Sequence, residues 1–271
     1  MVRKKHAENE GDGRRWIPAL KLRAACTKLK PVKISIVVPA FNEEKLLGDS
    51  LARMKSATGA FARRGWETEL VVCDNNSTDR TAEIARGAGA LVVFEPVNQI
   101  ARARNRGAAA ATGDWLIFVD ADSCPSTGLF DEVAGQISLG DCLAGGTTVR
   151  LDDPHRLART VTVFWNLISR SFRLLAGSFI FCETAGFRNI GGFSNELFAA
   201  EELELTQRLK KLARENGKRV VILHRHPLTT SARKIHLYSF REHLQLMVRA
   251  VFNRRVLTSR EACHLWYDGR R

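Results

Sequence analysis

Between residues 34 and 122 the chain alternates repeatedly between short β-branched or aromatic runs and segments with helical spacing, and this alternation constrains the fold more than any other feature. Ile34-Ser-Ile-Val-Val38 reads as a strand stopped by Pro39, which has no amide hydrogen to give to a central ladder. From about Glu43, the apolar positions Leu46, Leu47, Leu51, Met54, Ala57 and Phe61 recur near the period of a helix that buries one face. The pattern then returns. A strand over 69–73 closes at Asp74, and a helix opens near Thr78 or Asp79, both good capping residues. A strand over 91–94 closes at Glu95-Pro96, an alanine-rich helix covers 100–111, and a buried strand covers 115–119. Strands that alternate with helices predict an α/β fold with a mostly parallel central sheet and helices on both faces.

In such a sheet the ligand lies beyond the carboxyl ends of the strands. Asn42 and Glu43 follow the first strand, Asp74-Asn75-Asn76 the second, Asn98 and Arg102 the third, and Asp120-Ala121-Asp122 the fourth. Four distant segments therefore meet at one cleft, and three of them bring carboxylates. Two carboxylates at i and i+2 after a buried strand suit a hard divalent cation, whose shell is completed by water and substrate phosphate. The same two side chains would also serve as caps for the loop and the next helix. With Asp74 and Glu43 aimed at the same cleft and no Lys or Arg evident to neutralise the group, the metal reading is the stronger one.

Neither G-x-x-x-x-G-K-[ST] nor a G-x-G-x-x-G after the first strand is present, so an NTPase and a Rossmann dehydrogenase are not supported. A phosphohydrolase with Asp120 as nucleophile fits the run over 116–122, but it leaves the first strand's motif and the acidic segment at 201–204 unexplained. Past Asp122, a helix is expected from Ser126 or Thr127, a strand over 142–151 and a long apolar helix over 155–176. A turn-rich wall over 178–192 follows, then a helix over 199–216 and a strand over 219–223.

The chain has 42 Lys and Arg against 29 Asp and Glu, a formal charge of +13. That balance is uneven: residues 1–33 carry 10 basic and 3 acidic side chains, 34–204 carry 16 and 22, and 205–271 carry 16 and 4. The middle is acidic. No nucleic-acid motif accompanies the basic ends, so no nucleic-acid partner is expected. No apolar run approaches the length of a membrane span, residues 1–15 lack the apolar core of a secretory signal, and the six cysteines form no C-x-x-C pair. A reducing, cytoplasmic setting follows.

The expected organisation is a basic extension over 1–32, a catalytic domain over 33–235 and a basic amphipathic helical segment over 236–271. In the last, Leu237, Phe240, Leu244, Met247, Val248 and Val251 share a stripe, with Arg241, Arg249, Arg254 and Arg255 elsewhere on the wheel. Such a stripe either packs on the domain or attaches the protein peripherally to the anionic inner face of a membrane.

Five motifs fall in one order. They are Ser35-Ile-Val-Val-Pro-Ala-Phe-Asn-Glu-Glu44, Val71-Val-Cys-Asp-Asn-Asn-Ser-Thr-Asp-Arg-Thr81, Arg104-Asn-Arg-Gly107 and Gly113-Asp-Trp-Leu-Ile-Phe-Val-Asp-Ala-Asp122, then Gly191-Gly-Phe-Ser-Asn-Glu196 with Glu201-Glu-Leu-Glu-Leu-Thr-Gln-Arg-Leu209. Over about 34–235 the sequence resembles the family 2 glycosyltransferases of GT-A fold. The resemblance implies a nucleotide-diphosphate-sugar donor, a bound Mn²⁺ or Mg²⁺, and sugar transfer to an acceptor hydroxyl. By position it implies that Asp74 hydrogen-bonds the base, that Pro39, Ala40 and Glu43 line the nucleoside, and that Asp120, Ala121 and Asp122 hold ribose and metal, with Asp120 and Asp122 as metal residues.

The family places an acidic pair at the start of a C-terminal helix. Here that pair is Glu201-Glu202, where Glu-Asp is commoner, and Glu202 aligns with the general base, Glu201 being second choice. A lone acidic base without an enzyme nucleophile fits the inverting route. Arg104, like Arg102, either touches the donor phosphates or rides on a solvated helix face. His224, His226 and His236 lie where some relatives place a third metal ligand, although a histidine in a strand is commonly structural. Phe164, Trp165, Phe172 and Phe179 to Phe181 either floor an acceptor site or belong to the core. A sugar-nucleotide or glycan-binding module without turnover is the alternative function.

Overall fold

The computed structural model describes residues 31–152, 156–231 and 257–263. Strand β1 (Lys33–Ala40) sits in the sheet interior because it is apolar on both sides, and every residue from Ile34 to Ala40 is buried. Ile34, Ile36 and Val38 join the core on one face, while Val37 joins the core on the other. A turn follows in which the amides of Leu46 and Leu47 donate to the Glu43 carbonyl, so α1 (Leu47–Ala57) begins four residues later than its apolar spacing suggested. The short α2 (Gly59–Ala62) leads to β2 (Glu67–Asp74), α3 (Thr81–Gly87), β3 (Leu91–Phe94), α4 (Ile100–Ala110) and β4 (Trp115–Val119). β1 pairs in parallel with β2 and β4, and β2 with β3, so their carboxyl ends open on one edge.

The second half adds β5 (Ser123–Cys124), α5 (Thr127–Leu139), β6 (Cys142–Leu151), α6 (Arg156–Phe172), β7 (Phe179–Glu183), α7 (Thr184–Asn189), α8 (Glu201–Glu215) and β8 (Arg219–Thr230). The eight strands form one sheet in the order β3-β2-β1-β4-β7-β6-β8-β5. Helices α1, α2 and α5 cover one face around Leu51, Phe61 and Phe130, and α4, α7 and α8 cover the other around Ala108, Phe187 and Leu209.

Three expectations are corrected. Residues 178–192 are not a turn-rich wall: Phe179–Glu183 is an interior strand, antiparallel to both β4 and β6. Its Phe-Ile-Phe-Cys run is buried on both faces, so it lacks the alternation that marks a half-exposed strand. Phe179 to Phe181 are therefore core and floor no acceptor site. The long helix stops at Phe172 because Arg173 turns left-handed (φ 48°), and the chain then dips inward to a buried Leu175. Strand β8 runs on to Thr230 through an irregularity, where the register against β6 jumps from Leu223 to Leu228 and accommodates Pro227.

Two close approaches fix the layers. A Cβ at Gly107 would lie 2.5 Å from Val37 Cγ1, so only glycine lets α4 lie this near β1. At the far end of β1, the Ser35 hydroxyl donates to Glu69 (2.5 Å) and accepts from the Gly113 amide (2.8 Å). Burial works to raise the Glu69 pKa, yet hydrogen bonds from Ser35, Thr112 and Lys33 outweigh it and bring it down to about 2.

Candidate active site

The site grows from the loops at the carboxyl edge. Ala40 stands opposite Asp74 in the β1–β2 ladder, and the Asn75 amide donates to the Ala40 carbonyl (2.8 Å). Asn42 adopts φ 52°, a left-handed conformation that asparagine tolerates better than most residues, and its side-chain oxygen accepts from the Thr78 amide (2.8 Å). The Glu43 amide donates to Thr81 Oγ1 (2.8 Å), the Glu44 amide to Asp79 (3.1 Å), and Asp74 Oδ1 accepts from the Ser77 amide (3.0 Å). These bonds join the loops after β1 and β2 into a single rim, with Glu43 and Asp74 buried in it. Ala40, Glu43 and Asp74 therefore meet at this rim, with Pro39 one residue before it on β1.

The loop after β4 forms the next wall. The Asp120 amide donates to the Ser178 carbonyl (3.2 Å), and the Asp122 carbonyl accepts from the Ser231 amide (3.3 Å) at the end of β8. Ala121 is buried between the two aspartates.

Arg104 joins this wall to the acidic pair. Its Nη2 donates to Asp120 Oδ1 (3.0 Å) and to the Gly177 carbonyl (2.8 Å), its Nη1 donates to Glu201 Oε1 (2.6 Å), and its guanidinium lies 5.2 Å from the centre of the Phe193 ring. At 1% exposure it occupies no solvated face, and it supplies the neutralising cation that the sequence reading found missing. The reason is the helix period: Ala101, Arg104 and Ala108 share one face, and the small neighbours let that face lie on the sheet. Burial pulls the guanidinium pKa down, but Asp120, Glu201 and Glu202 outweigh it and hold the group charged. Arg102 is only half-buried and bonds Gln99 (3.0 Å).

Glu201 and Glu202 open α8 after Ala200, which is held at φ 59°. Glu201 is 4% exposed and tied to Arg104. The Glu202 carboxyl borders the same space as this guanidinium: a methyl group on Gly177 would sit 3.3 Å from Arg104 Nη2 and 3.6 Å from Glu202 Cδ. Burial and the neighbouring Glu201 charge push the Glu202 pKa up to about 8, with Arg104 opposing. The two glutamates thus differ: Glu201 bonds Arg104 directly, whereas burial and the Glu201 charge favour the protonated form of Glu202.

Several residues here escaped the sequence reading. Gln99 Nε2 donates to the carbonyls of Asn195 (2.9 Å) and Leu197 (2.8 Å), and the Asn105 side chain both donates to the Phe193 carbonyl and accepts from its amide (2.9 Å each). Together they pin the segment that leads to α8. The Phe198 amide donates to the Leu257 carbonyl (2.7 Å), and Cys263 is buried against Ala199. Part of the 236–271 segment is thereby placed on the catalytic domain, while residues 237–251 and His236 lie outside the described residues.

Of the two readings open for the histidines, the surroundings of His224 and His226 fit the structural one. His226 Nδ1 pairs with Glu132 (2.6 Å), and its ring fills the space above Gly128, where a Cβ would lie 2.5 Å from Cδ2. The residue of this segment that meets Asp122 is Ser231, so His224 and His226 stand back along the strand. Among the described residues no three His, Cys, Asp or Glu side chains form a ready-made metal shell. The donor chemistry still fits a divalent ion: Asp120 and Asp122 offer hard carboxylate oxygens two residues apart in the loop after β4, a partial shell of the kind that substrate phosphate completes.

The sequence pattern described as glycosyl transferase family 2 matches residues 35–189. A curated relative, an uncharacterized glycosyltransferase of Mycobacterium tuberculosis, is 32% identical over 141 residues, covering 51% of this chain and 60% of that protein. The chain thus spans less than two thirds of that relative's length. Among solved structures, a mannosyltransferase from Pyrobaculum calidifontis in complex with GDP-Man and Mn²⁺ superposes with a TM-score of 0.64 at 18% identity, over 87% of this chain and 69% of that one. Glucosyl-3-phosphoglycerate synthase from Mycobacterium tuberculosis, in complex with Mn²⁺, UDP and phosphoglyceric acid, gives 0.54 at 18% identity, over 86% of this chain and 78% of that one.

Proposed function

The chain belongs to glycosyl transferase family 2, and on that premise we propose that it transfers a sugar from a nucleotide-diphosphate-sugar to an acceptor hydroxyl with the help of Mn²⁺ or Mg²⁺. The observation that carries this reading is the Arg104 bridge, which ties Asp120 and Glu201 to one guanidinium and so brings Glu202, the next residue of α8, to the same side of the cleft. Donor-side carboxylates and a candidate base therefore face the same small volume, as a direct displacement requires.

In this reading the rim of Pro39, Ala40, Glu43 and Asp74 receives the nucleoside, with Asp74 accepting from the N–H edge of uracil or guanine. Asp120 and Asp122 would hold the ion, beside Ala121. When bound, the ion supplies Lewis-acid stabilisation of the departing diphosphate, on the order of several kcal/mol. Three acceptors hold the two Arg104 Nη atoms, and in this reading the residue fixes Asp120 and Glu201 beside the donor phosphates. Glu202 takes the acceptor proton as the hydroxyl attacks, the inverting route. Its raised pKa matches that task, because a base that titrates near the working pH is both available and strong enough.

The test is thermal shift with UDP- and GDP-sugars in the presence and absence of Mn²⁺, followed by detection of released nucleoside diphosphate. A donor that raises the midpoint only with Mn²⁺, and loses that effect in Asp122→Ala, is the expected result. Stabilisation by donor that is unchanged by Mn²⁺ or by Asp122→Ala contradicts the metal assignment.

A further inference from the structure

Helix α6 is built inside out. Its inner side carries polar anchors beside the half-buried Trp165 and Ile168: the Asn166 side chain bonds the amide (2.9 Å) and carbonyl (2.8 Å) of Val149, and Ser169 Oγ donates to the Leu174 carbonyl (2.7 Å). Its outer positions are large and apolar, with Val163 61%, Phe164 64%, Leu167 61% and Phe172 66% exposed. A soluble surface seldom leaves such side chains contiguous without a partner.

The charge around them identifies that partner. Helix α6 contains no Asp or Glu, and Arg159, Arg170 and Arg173 are exposed on it or at its end. At the end of α6, a cleft of about 220 Å³ is lined by Arg170, Arg173, Arg219 and His224 with Val220 to Ile222 of β8. Asp141 faces this group, paired with Arg219 (2.6 Å). Lys210 stands nearby, its pKa lowered by burial and then by Arg173 and Arg214, so cations outnumber their counter-ions here. A second copy on the same face would bring like charges together. The chain's own residues 232–256, with six basic side chains and one acidic, are equally ill matched in charge.

We propose that α6 is a peripheral membrane-docking helix, in which Val163, Phe164, Leu167 and Phe172 enter the interface of an anionic bilayer and the cleft of Arg170, Arg173, Arg219 and His224 takes lipid phosphate. Helices of this type lie in the headgroup plane with the apolar face down, and long basic side chains reach up to the phosphates. Anionic lipid adds attraction with each nearby basic residue and fades with salt. The inference does not depend on the transferase reading.

The experiment is flotation of the full chain with vesicles of phosphatidylcholine alone, or with about one third phosphatidylglycerol. Expected are flotation with the anionic vesicles only, weakening with salt, and a loss of about tenfold or more in partitioning for Phe164→Ser/Leu167→Ser and for Arg170→Glu/Arg173→Glu. Unchanged melting curves for both pairs establish that they still fold. Equal flotation on neutral vesicles, or no effect of either pair, overturns the proposal. So does flotation lost in Arg254→Glu/Arg255→Glu while both α6 pairs still float. Two further results also overturn it: a dimer that Phe164→Ser/Leu167→Ser dissociates without lipid, which makes the face a self-interface, or stabilisation by inorganic phosphate without flotation, which makes the cleft a free-anion site.

Discussion

Replacing Arg104 with methionine keeps the length and packing of the side chain but removes the cation between Asp120 and the two glutamates. Three hydrogen bonds of 2.6 to 3.0 Å are lost, all within a buried site. Removing one partner of a buried ion pair costs about 3 to 5 kcal/mol, because the remaining charges keep their desolvation without compensation. Protonation softens that cost. In the native protein Glu202 titrates at about 8, against 4.5 for an ordinary glutamate, and Arg104 opposes the rise. A carboxyl whose folded pKa is raised holds its proton in the native state while the unfolded chain has released it. Its contribution to stability is therefore greatest in acid and is lost as pH rises from about 4.5 through about 8. Without Arg104 that pKa climbs further, so the variant is less stable than the native protein by more at pH 8 than at pH 6. Urea unfolding at the two pH values reads both numbers from the midpoints, at constant slope. Arg104→Lys, which keeps the charge but not the fork, is expected to lose about 1 to 2 kcal/mol. An Arg104→Met protein within about 0.5 kcal/mol of native at both pH values refutes the clamp, since buried charge networks are not that cheap to break.

Ala200→Gly is expected to raise stability by about 1 kcal/mol, because a left-handed alanine is strained by about that much, and to slow transfer by loosening the start of α8; unchanged stability in a thermal melt contradicts this. The Glu69 pKa is brought down to about 2, so its contribution is present above the ordinary carboxylate value of 4.5 and is lost as pH falls toward 2. Glu69→Gln is expected to cost about 1 kcal/mol at pH 7, after allowance for its partial exposure, and to flatten the acid limb of a stability-against-pH curve. Gly107→Ala drives a methyl group into Val37, and a loss of about 1 to 3 kcal/mol in urea unfolding is expected; a neutral substitution means α4 can lift from β1 without cost.

The alternation over 34–122 was legible because β1, β2 and β4 carry short buried apolar runs, although β1 continues through Pro39 to Ala40 rather than stopping at the proline, and the same pattern announced which loops would share an edge. Periodicity could not reveal β7: a strand buried on both faces has no alternation, and the glycines after it look like a turn-rich segment. Arg104 hid in an alanine-rich helix where a charge looks solvated. The spacing of Ala101, Arg104 and Ala108 was the available signal, because an arginine in register with buried small residues points inward. The pairing of Glu201 with Arg104 spans 97 residues and no local pattern encodes it. The histidines show the converse, since His226 met an acid on α5 that only the folded sheet brings beside it.

In the proposed reaction Glu202 removes the acceptor proton in a cleft whose donor side is already assembled. Its most direct test is Glu202→Gln, assayed for donor affinity by calorimetry with Mn²⁺ and for sugar transfer under saturating donor. Donor affinity within about twofold of native is expected, with transfer lower by about 10² to 10⁴, the usual worth of a positioned base. Transfer at the native rate with intact donor binding contradicts it and removes Glu202 as the base.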